Sequence, residues 1–391
     1  MSDRKLSRRA VGVDAQRRVD LDWVRIAAFG LLILYHVGML YVSWDFHVKS
    51  GHRIALEPLM LALNPWRLAL LFVISGAVTR FMLGKYAVGP FVAARLWRLL
   101  VPLLFGMLVV VPPQAYEQVV ESAGYGSGFL QFYMSDYFAF GARFCNPGPC
   151  LLLPTWNHLW FVAYLLFYSL ALGSVLAAWP GLRVRIGGDG FPKLSGVIVL
   201  LGPALLCAAY RLWLLPRFPS THSLIGDWYN HALYGTMFLC GFAVARAEGV
   251  WAEIVRIRWW ALGCAVPLYA IFLTLRFAGP SPQSPLWTGV ALVYGSYQWF
   301  AIVAILGFAR RWLNRDSPVR RYLTDAIFPY YIAHQTAIIM IAHHLKAQEL
   351  PAWLEACLVI AGTMAVCGAT YEIVRRIALL RPLFGLGRNA V

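Results

Sequence analysis

Two ionisable side chains, Arg25 and His36, interrupt the first long apolar run of this sequence. On an α-helix their spacing is about three turns, or about 16 Å of rise. It returns to within about 20° of the starting direction, so both side chains lie on one face. A charged or titratable group inside an apolar helix is costly and marks a functional position by default. His334 stands in another apolar run at a depth close to that expected for His36 near the membrane midplane, with Tyr331 one turn before it. A lone histidine in such a place is commonly a packing residue that hydrogen-bonds a neighbour. Two at one depth on separate helices, with a tyrosine, point instead to proton chemistry. A neutral imidazole takes a proton near pH 7 or carries an acyl group as a nucleophile.

Other positions carry weaker signals. His158 opens an apolar run at its outer mouth, between Trp156 and Trp160, which read equally as interface-belt residues. Ser75-Gly76 places small residues mid-helix, where close helix packing is the usual reason. Arg95 and Arg98, near Lys85, share a helix face, and two guanidinium groups on one face make a phosphate clamp. The plainer reading is the positive charge that flanks membrane helices.

The elements that position these residues follow from composition. Of 391 residues, 60% are hydrophobic and 13% charged, where a soluble protein carries about a quarter charged. Mean hydropathy is +0.62. These values exclude a soluble enzyme, a disordered chain and a fibre, and predict an all-α, polytopic integral membrane protein. Ten apolar runs are long enough to span, near 24–44, 60–82, 96–114, 157–179, 194–216, 229–247, 259–278, 286–309, 322–344 and 353–374. The net charge of +16 would suit a nucleic-acid partner. With the N-terminus inside, however, 25 of 34 basic residues fall in inner segments. Eight (Lys49, Arg53, Arg67, Arg143, Arg211, Arg217, Arg276 and Lys346) fall in outer segments and adjoining helix ends. The charge is therefore a topological signal for two cytoplasmic termini, and no nucleic acid is expected.

The expected layout is a basic N-terminal tail at 1–20, a transmembrane domain at 21–378 and a short C-terminal tail at 379–391. The longest outer segment, about 115–156, holds an aromatic, weakly amphipathic stretch from Phe129 to Phe140. It also holds Cys145 and Cys150 around Asn-Pro-Gly-Pro. If that loop faces an oxidising compartment, and the turn permits the geometry, the two cysteines pair. No signal peptide and no metal-ligand cluster are apparent.

The ordered set of motifs resembles the membrane acyltransferase-3 family over about 21–385. An arginine, ten residues and a histidine match Arg25 and His36. Arg-x-x-Arg matches Arg95 and Arg98, and His-Leu-Trp-Phe matches His158 to Phe161. Phe-x-x-Ser-Gly matches Phe72, Ser75 and Gly76, and Tyr-x-x-His matches Tyr331 and His334. The resemblance implies transfer of an acyl group, succinyl or acetyl, from cytoplasmic acyl-coenzyme A to a glycan hydroxyl across a bacterial inner membrane. It implies a donor substrate and no resident cofactor. His36 would be the base, aided by Arg25, Tyr331 and His334, while Arg95, Arg98 and Lys85 would hold the coenzyme. His158, Trp156, Trp160, Trp44 and Ser75 would face the acceptor. The competing expectation is a transporter or flippase of a glycan or acyl intermediate. It lacks the mid-membrane carboxylate that ion coupling favours, since Asp227, Asp325 and Glu372 lie at span edges. A non-catalytic scaffold is a third expectation.

Overall fold

The computed structural model describes residues 18–145, 150–182, 194–279 and 284–387. Arg4, Lys5, Arg8, Arg9, Arg17 and the turn at 146–149 lie outside the described residues. The architecture is a bundle of long helices with one small hairpin. In chain order the helices are α1 (Val19–Gly38), α2 (Glu57–Lys85), α3 (Val88–Val110), α4 (Pro112–Ala123) and the short α5 (129–137). After the hairpin come α6 (Asn157–Ala178), α7 (Gly196–Leu214), α8 (Trp228–Val244), α9 (Glu248–Phe277), α10 (Pro285–Trp312), α11 (Pro318–Lys346) and α12 (Ala352–Arg376).

Among the described residues, eight of these are long and apolar enough to cross a membrane. Two further long rods fall where the sequence leads one to expect spans. They are α8, with 17 residues, and α11, whose first half carries Arg320, Arg321 and Asp325. A fully apolar window is not possible in α11 because one of its faces is polar.

The first span differs from its expected limits, and the cause is local. It starts five residues early because Asp20 is buried and paired with Arg18 at 2.6 Å, so its charge is compensated. It stops at Gly38 although the sequence stays apolar to Tyr41. There the Lys49 ammonium donates to the carbonyls of Met39, Val42 and Trp44 at 2.6, 2.5 and 3.0 Å. The last carbonyls of α1 are taken by turn bonds, from Met39 N–H to Tyr35, Leu40 N–H to Val37 and Tyr41 N–H to Gly38 at 3.0, 3.1 and 3.0 Å, and Lys49 holds the turn that follows. The third span starts at Val88 rather than 96, and its backbone switches to π-helical turns at Leu96–Leu100 and Gly106–Val110, around Pro102. Pro112-Pro113 does not end that span but opens α4, where prolines lack only N–H groups that have no intrahelical partner.

Close packing of α2 on α8 rests on two glycines. A Cβ on Gly76 would stand 1.9 Å from the Phe238 carbonyl oxygen, and one on Gly241 would stand 1.8 Å from that of Val73. The backbones touch, which is the packing expected for the Ser75-Gly76 pair.

The outer segment forms a small cap. Strands β1 (Gly141–Arg143) and β2 (Leu151–Leu153) pair antiparallel, and Cys145 and Cys150 form a disulfide. Phe132 and Tyr137 of α5 are buried with Ala115, Val119 and Leu153, while Leu130 and Met134 are exposed. The stretch is therefore amphipathic, as its sequence suggests. Residues 379–387 are not a free tail: Phe384 packs on Phe105 at 5.3 Å, and Gly385 lies against Phe328.

Candidate active site

Helices α1 and α11 build the centre. At one end, here the basal end, Arg320 donates to Asp22. Toward the other, the loop end, His36 Nδ1 meets His334 Nε2 at 2.9 Å. Each pair is 298 residues apart in sequence. The helices therefore run parallel in one register, and the two contacts stand about 21 Å apart along them. Trp23 Nε1 donates to the Arg315 carbonyl at 3.1 Å, and Arg25 Nη2 to that of Thr324 at 3.2 Å. These bonds pin the basal turns.

His36 lies two residues from the end of α1, while its partner His334 lies near the middle of α11. Arg25 lies near the basal end, does not join the pair, and bonds the α11 backbone instead.

The hydrogen bonds fix the direction of the pair. His334 Nδ1 lies 2.7 Å from the Tyr331 carbonyl, which only accepts, so Nδ1 carries the proton. In a neutral pair, His334 Nε2 then accepts from His36 Nδ1–H. His36 Nε2 is left with its lone pair and no hydrogen-bond partner among the described residues, on a ring that is partly buried. One imidazole thus orients another and leaves its second nitrogen basic. The rings stack at 5.1 Å, and Phe46 stacks on the other side of His36 at 6.1 Å.

A directed amide network supports the pair. Gln335, next to His334, donates to His47 Nε2 at 2.9 Å and to Gln114 Oε1 at 3.2 Å. His47 Nδ1 donates to Gln118 Oε1 at 2.6 Å. Burial holds the His47 imidazole below the usual histidine range, which keeps Nε2 an acceptor at neutral pH. Gln114 Nε2 donates to Thr336 Oγ1 at 2.6 Å, and Asn157 donates to Gln114 Oε1 at 3.2 Å. Sequence reasoning misses these amides, because uncharged polar residues leave no mark on hydropathy.

His158 is relocated by the structure. It does not line an open mouth: it is buried, its ring centroid is 5.0 Å from that of His334, and its Nε2 donates to the Ile332 carbonyl at 3.1 Å. A 3-10 turn at Asn157–Leu159 tips it inward. The Tyr331 hydroxyl is also engaged, donating to the His158 carbonyl. Both residues pack around His334.

Trp156 donates to the His222 carbonyl at 3.0 Å, and Trp160 lies against the His222 ring at 4.1 Å. Trp44 packs with Met60 and Leu61. All three tryptophans are partly buried, at the loop end. Ser75 lends its carbonyl to Thr79 at 2.8 Å.

Arg95 and Arg98 do not present an even face. Arg95 is buried, and its Nη2 donates to Thr79 at 2.5 Å, while Arg98, on the π-helical turn, is exposed, as is Lys85. The π-turn shifts the phase between them. Among the described residues no group of three or more His, Cys, Asp or Glu is placed to hold a metal.

One residue counted with the outer loops belongs in the interior. Arg67 stands ten residues into α2, about 15 Å from its start. It is 2% exposed, and its guanidinium lies 3.8 Å over the Tyr35 ring. Its Nε and Nη1 have no hydrogen-bond partner. Each unmade bond of that kind costs about 1–3 kcal/mol. Pro65 opens the α2 ladder beside it, and Gln298 of α10 donates to the Pro65 carbonyl at 2.5 Å. From Pro58 to Tyr116 the sequence contains no Asp or Glu, so Arg67 has no acidic neighbour in its own span.

A multi-pass helical membrane protein with paired histidines inside its bundle is the class that fold and site define. The chain belongs to the acyltransferase-3 family, whose acyltransferase domain matches residues 18–372. It is 22% identical over 392 residues to glucans biosynthesis protein C of Escherichia coli O6:K15:H31 (strain 536 / UPEC), covering 95% of each chain. It is 23% identical over 392 residues to the protein of that name from Escherichia coli strain K12 / DH10B, again covering 95% of each. No solved structure matches the chain. The protein is a membrane acyltransferase.

Proposed function

We propose that this acyltransferase moves a succinyl or acetyl group from cytoplasmic acyl-coenzyme A to a hydroxyl of a periplasmic or cell-surface glycan. The observation that carries this reading is the hydrogen-bonded His36–His334 pair, which leaves His36 Nε2 basic. His36 Nε2 takes the proton of the acceptor hydroxyl as its oxygen attacks the thioester carbonyl carbon. The C–S bond then breaks, and the sulfur leaves with the proton from His36. The products are an ester and free coenzyme A thiol, so every atom is accounted for. An acyl-histidine would split the same transfer into two steps.

In this reading both termini are cytoplasmic and the protein lies in the bacterial inner membrane. The relatives named for glucan biosynthesis support a glucan as the acceptor class. Purified protein supplied with acyl-coenzyme A and periplasmic glucan is expected to release thiol in step with ester formation. Ester formation from another donor, with acyl-coenzyme A inert, would end the donor assignment.

Arg95, Arg98 and Lys85 at the basal end are the proposed coenzyme contacts. Arg95→Ala together with Arg98→Ala is expected to raise the apparent KM for the donor about ten- to a hundred-fold, the value of one or two charge-assisted bonds. The acceptor KM should stay unchanged. Arg98→Ala alone removes an exposed side chain and leaves the Arg95–Thr79 bond intact, so it controls for misfolding. An unchanged donor KM in both variants would take the pair out of the coenzyme site.

A further inference from the structure

The third span ends on a backbone that its own helix does not satisfy. α3 closes in a π-helical turn, Gly106–Val110, and Pro112 and Pro113 follow with no N–H to offer the carbonyls before them. Leu104, Leu108 and Val109 are exposed there, on a helix apolar enough to cross a membrane. A carbonyl left unpaired at that depth would face hydrocarbon, where no water can replace the lost bond. Two side chains of α5 take that role. The Tyr137 hydroxyl donates to the Met107 carbonyl at 2.7 Å, and the Tyr133 hydroxyl to that of Leu108 at 2.9 Å. The Val110 carbonyl accepts from Thr336 of α11 at 2.8 Å. α5 is therefore not held clear of the bundle. It lies beside the last turns of a lipid-facing span.

The outward face of the cap matches that place. Leu130, Met134, Phe140 and Leu152 are 73%, 68%, 77% and 61% exposed, while Phe132 and Tyr137 are sealed beneath. From Gly124 to Gly141 the sequence holds one charged residue, Asp136. Its carboxylate accepts from Arg143 at 2.8 Å and from the Tyr125 hydroxyl at 2.7 Å. The acids of the neighbouring α4 are turned to another partner: Glu117 and Glu121 meet His343 and Lys346 of α11. An exposed apolar face without unanswered charge, bonded to the lipid-facing end of a span, suits hydrocarbon and not water.

We propose that α5, with Phe140 and Leu152 of the hairpin, is a membrane-seated foot, and that its occupant is the acyl chains of the loop-end leaflet. Leu130 and Met134 enter the hydrocarbon. Tyr133 and Tyr137 face inward and close the backbone that Pro112-Pro113 leaves open. The seat also reaches the reaction centre. Thr336, which holds the Val110 carbonyl, accepts from Gln114 at 2.6 Å and stands two positions after His334. Lipid contact at the foot thus steadies the end of α3 against the helix that carries the histidine.

The test places a nitroxide label at Leu130→Cys and at Met134→Cys, one at a time. Cys240, Cys264 and Cys357 are replaced by alanine, and the Cys145–Cys150 disulfide is kept. Monodisperse elution shows that each labelled chain is folded. The full chain is reconstituted in phosphatidylcholine vesicles. Collisions of the label with oxygen, which dissolves in hydrocarbon, are compared with those of a water-soluble nickel chelate. Leu108→Cys is the lipid reference, and Gln348→Cys, exposed in the loop after α11, is the aqueous one. Both α5 labels should behave as Leu108 does, with oxygen well ahead of nickel. Nickel ahead of oxygen would overturn the proposal in favour of a cap in water. Low collision with both would overturn it in favour of a second copy covering the face. The melting temperature in the same vesicles gives a separate reading. Met134→Asp should melt several degrees below the natural protein, since a charge on a lipid-facing side chain is costly. Met134→Leu and Gln348→Asp should match the natural protein. Tyr133→Phe with Tyr137→Phe, which strands two carbonyls, should melt lower as well. An unchanged melting temperature in Met134→Asp would put that side chain in water and end the proposal.

Discussion

His36→Gln is expected to lower the transfer rate about 10² to 10⁴-fold, the usual contribution of a general base. Glutamine preserves bulk and can still donate toward His334 Nε2 across the 2.9 Å contact, but it takes no proton at neutral pH. His36→Ala should be no less inactive. A packing histidine would behave otherwise: glutamine would restore most function, and any loss would follow protein level. The measurement is rate per inserted molecule for both variants. Near-normal turnover in His36→Gln would dismiss the base and the acyl-histidine together. His334→Phe gives a graded comparison. It keeps a ring against His36 but removes the acceptor that sets the His36 tautomer, so its effect should be smaller and should fall on kcat rather than KM.

The second large effect is structural. Gly241→Val is expected to yield no folded protein, because its Cβ would stand 1.8 Å from the Val73 carbonyl oxygen and neither backbone can yield alone. The cost should exceed the about 1–3 kcal/mol of ordinary overpacking. Even Gly241→Ala should lower the melting temperature measurably. Gly263→Ala in α9 is the matched control, since nothing lies within 4 Å of its would-be Cβ. That change should be neutral or stabilising by about 0.5–1 kcal/mol. Equal melting temperatures for the Gly241 and Gly263 variants would show that α2 and α8 do not need backbone contact.

The bundle was legible because each span is a long apolar run, and a run of that length has one stable fate in a bilayer. Its ends were less so. Nothing near Gly38 announces that Lys49, eleven residues on, will hold the carbonyls of the turn that follows α1. The histidines were legible because a titratable group stands out in an apolar run. Gln114, Gln335, Asn157 and Thr336 do not stand out, yet they set the hydrogen-bond directions around the centre. His158 was misplaced for a geometric reason: a 3-10 turn rotates it inward, and the start of a span does not encode that turn. Arg67 was visible but was read as loop charge, because it follows Trp66 near the head of a run. The signal that separates it is the absence of any acid from Pro58 to Tyr116.

The shared register of α1 and α11 has a consequence for how the enzyme comes into being. His36 leaves the ribosome long before His334, and the chain between them, a separation of 298 positions, must be threaded into the bilayer before the rings can meet. A nascent chain is therefore inert toward thioesters for most of its synthesis. No amino-terminal fragment that stops short of α11 can keep even a fraction of the activity. Supplying that helix in trans, as a separate peptide carrying Arg320 and His334, would have to restore the Asp22 contact as well as the imidazole, since one fixes the height at which the other arrives.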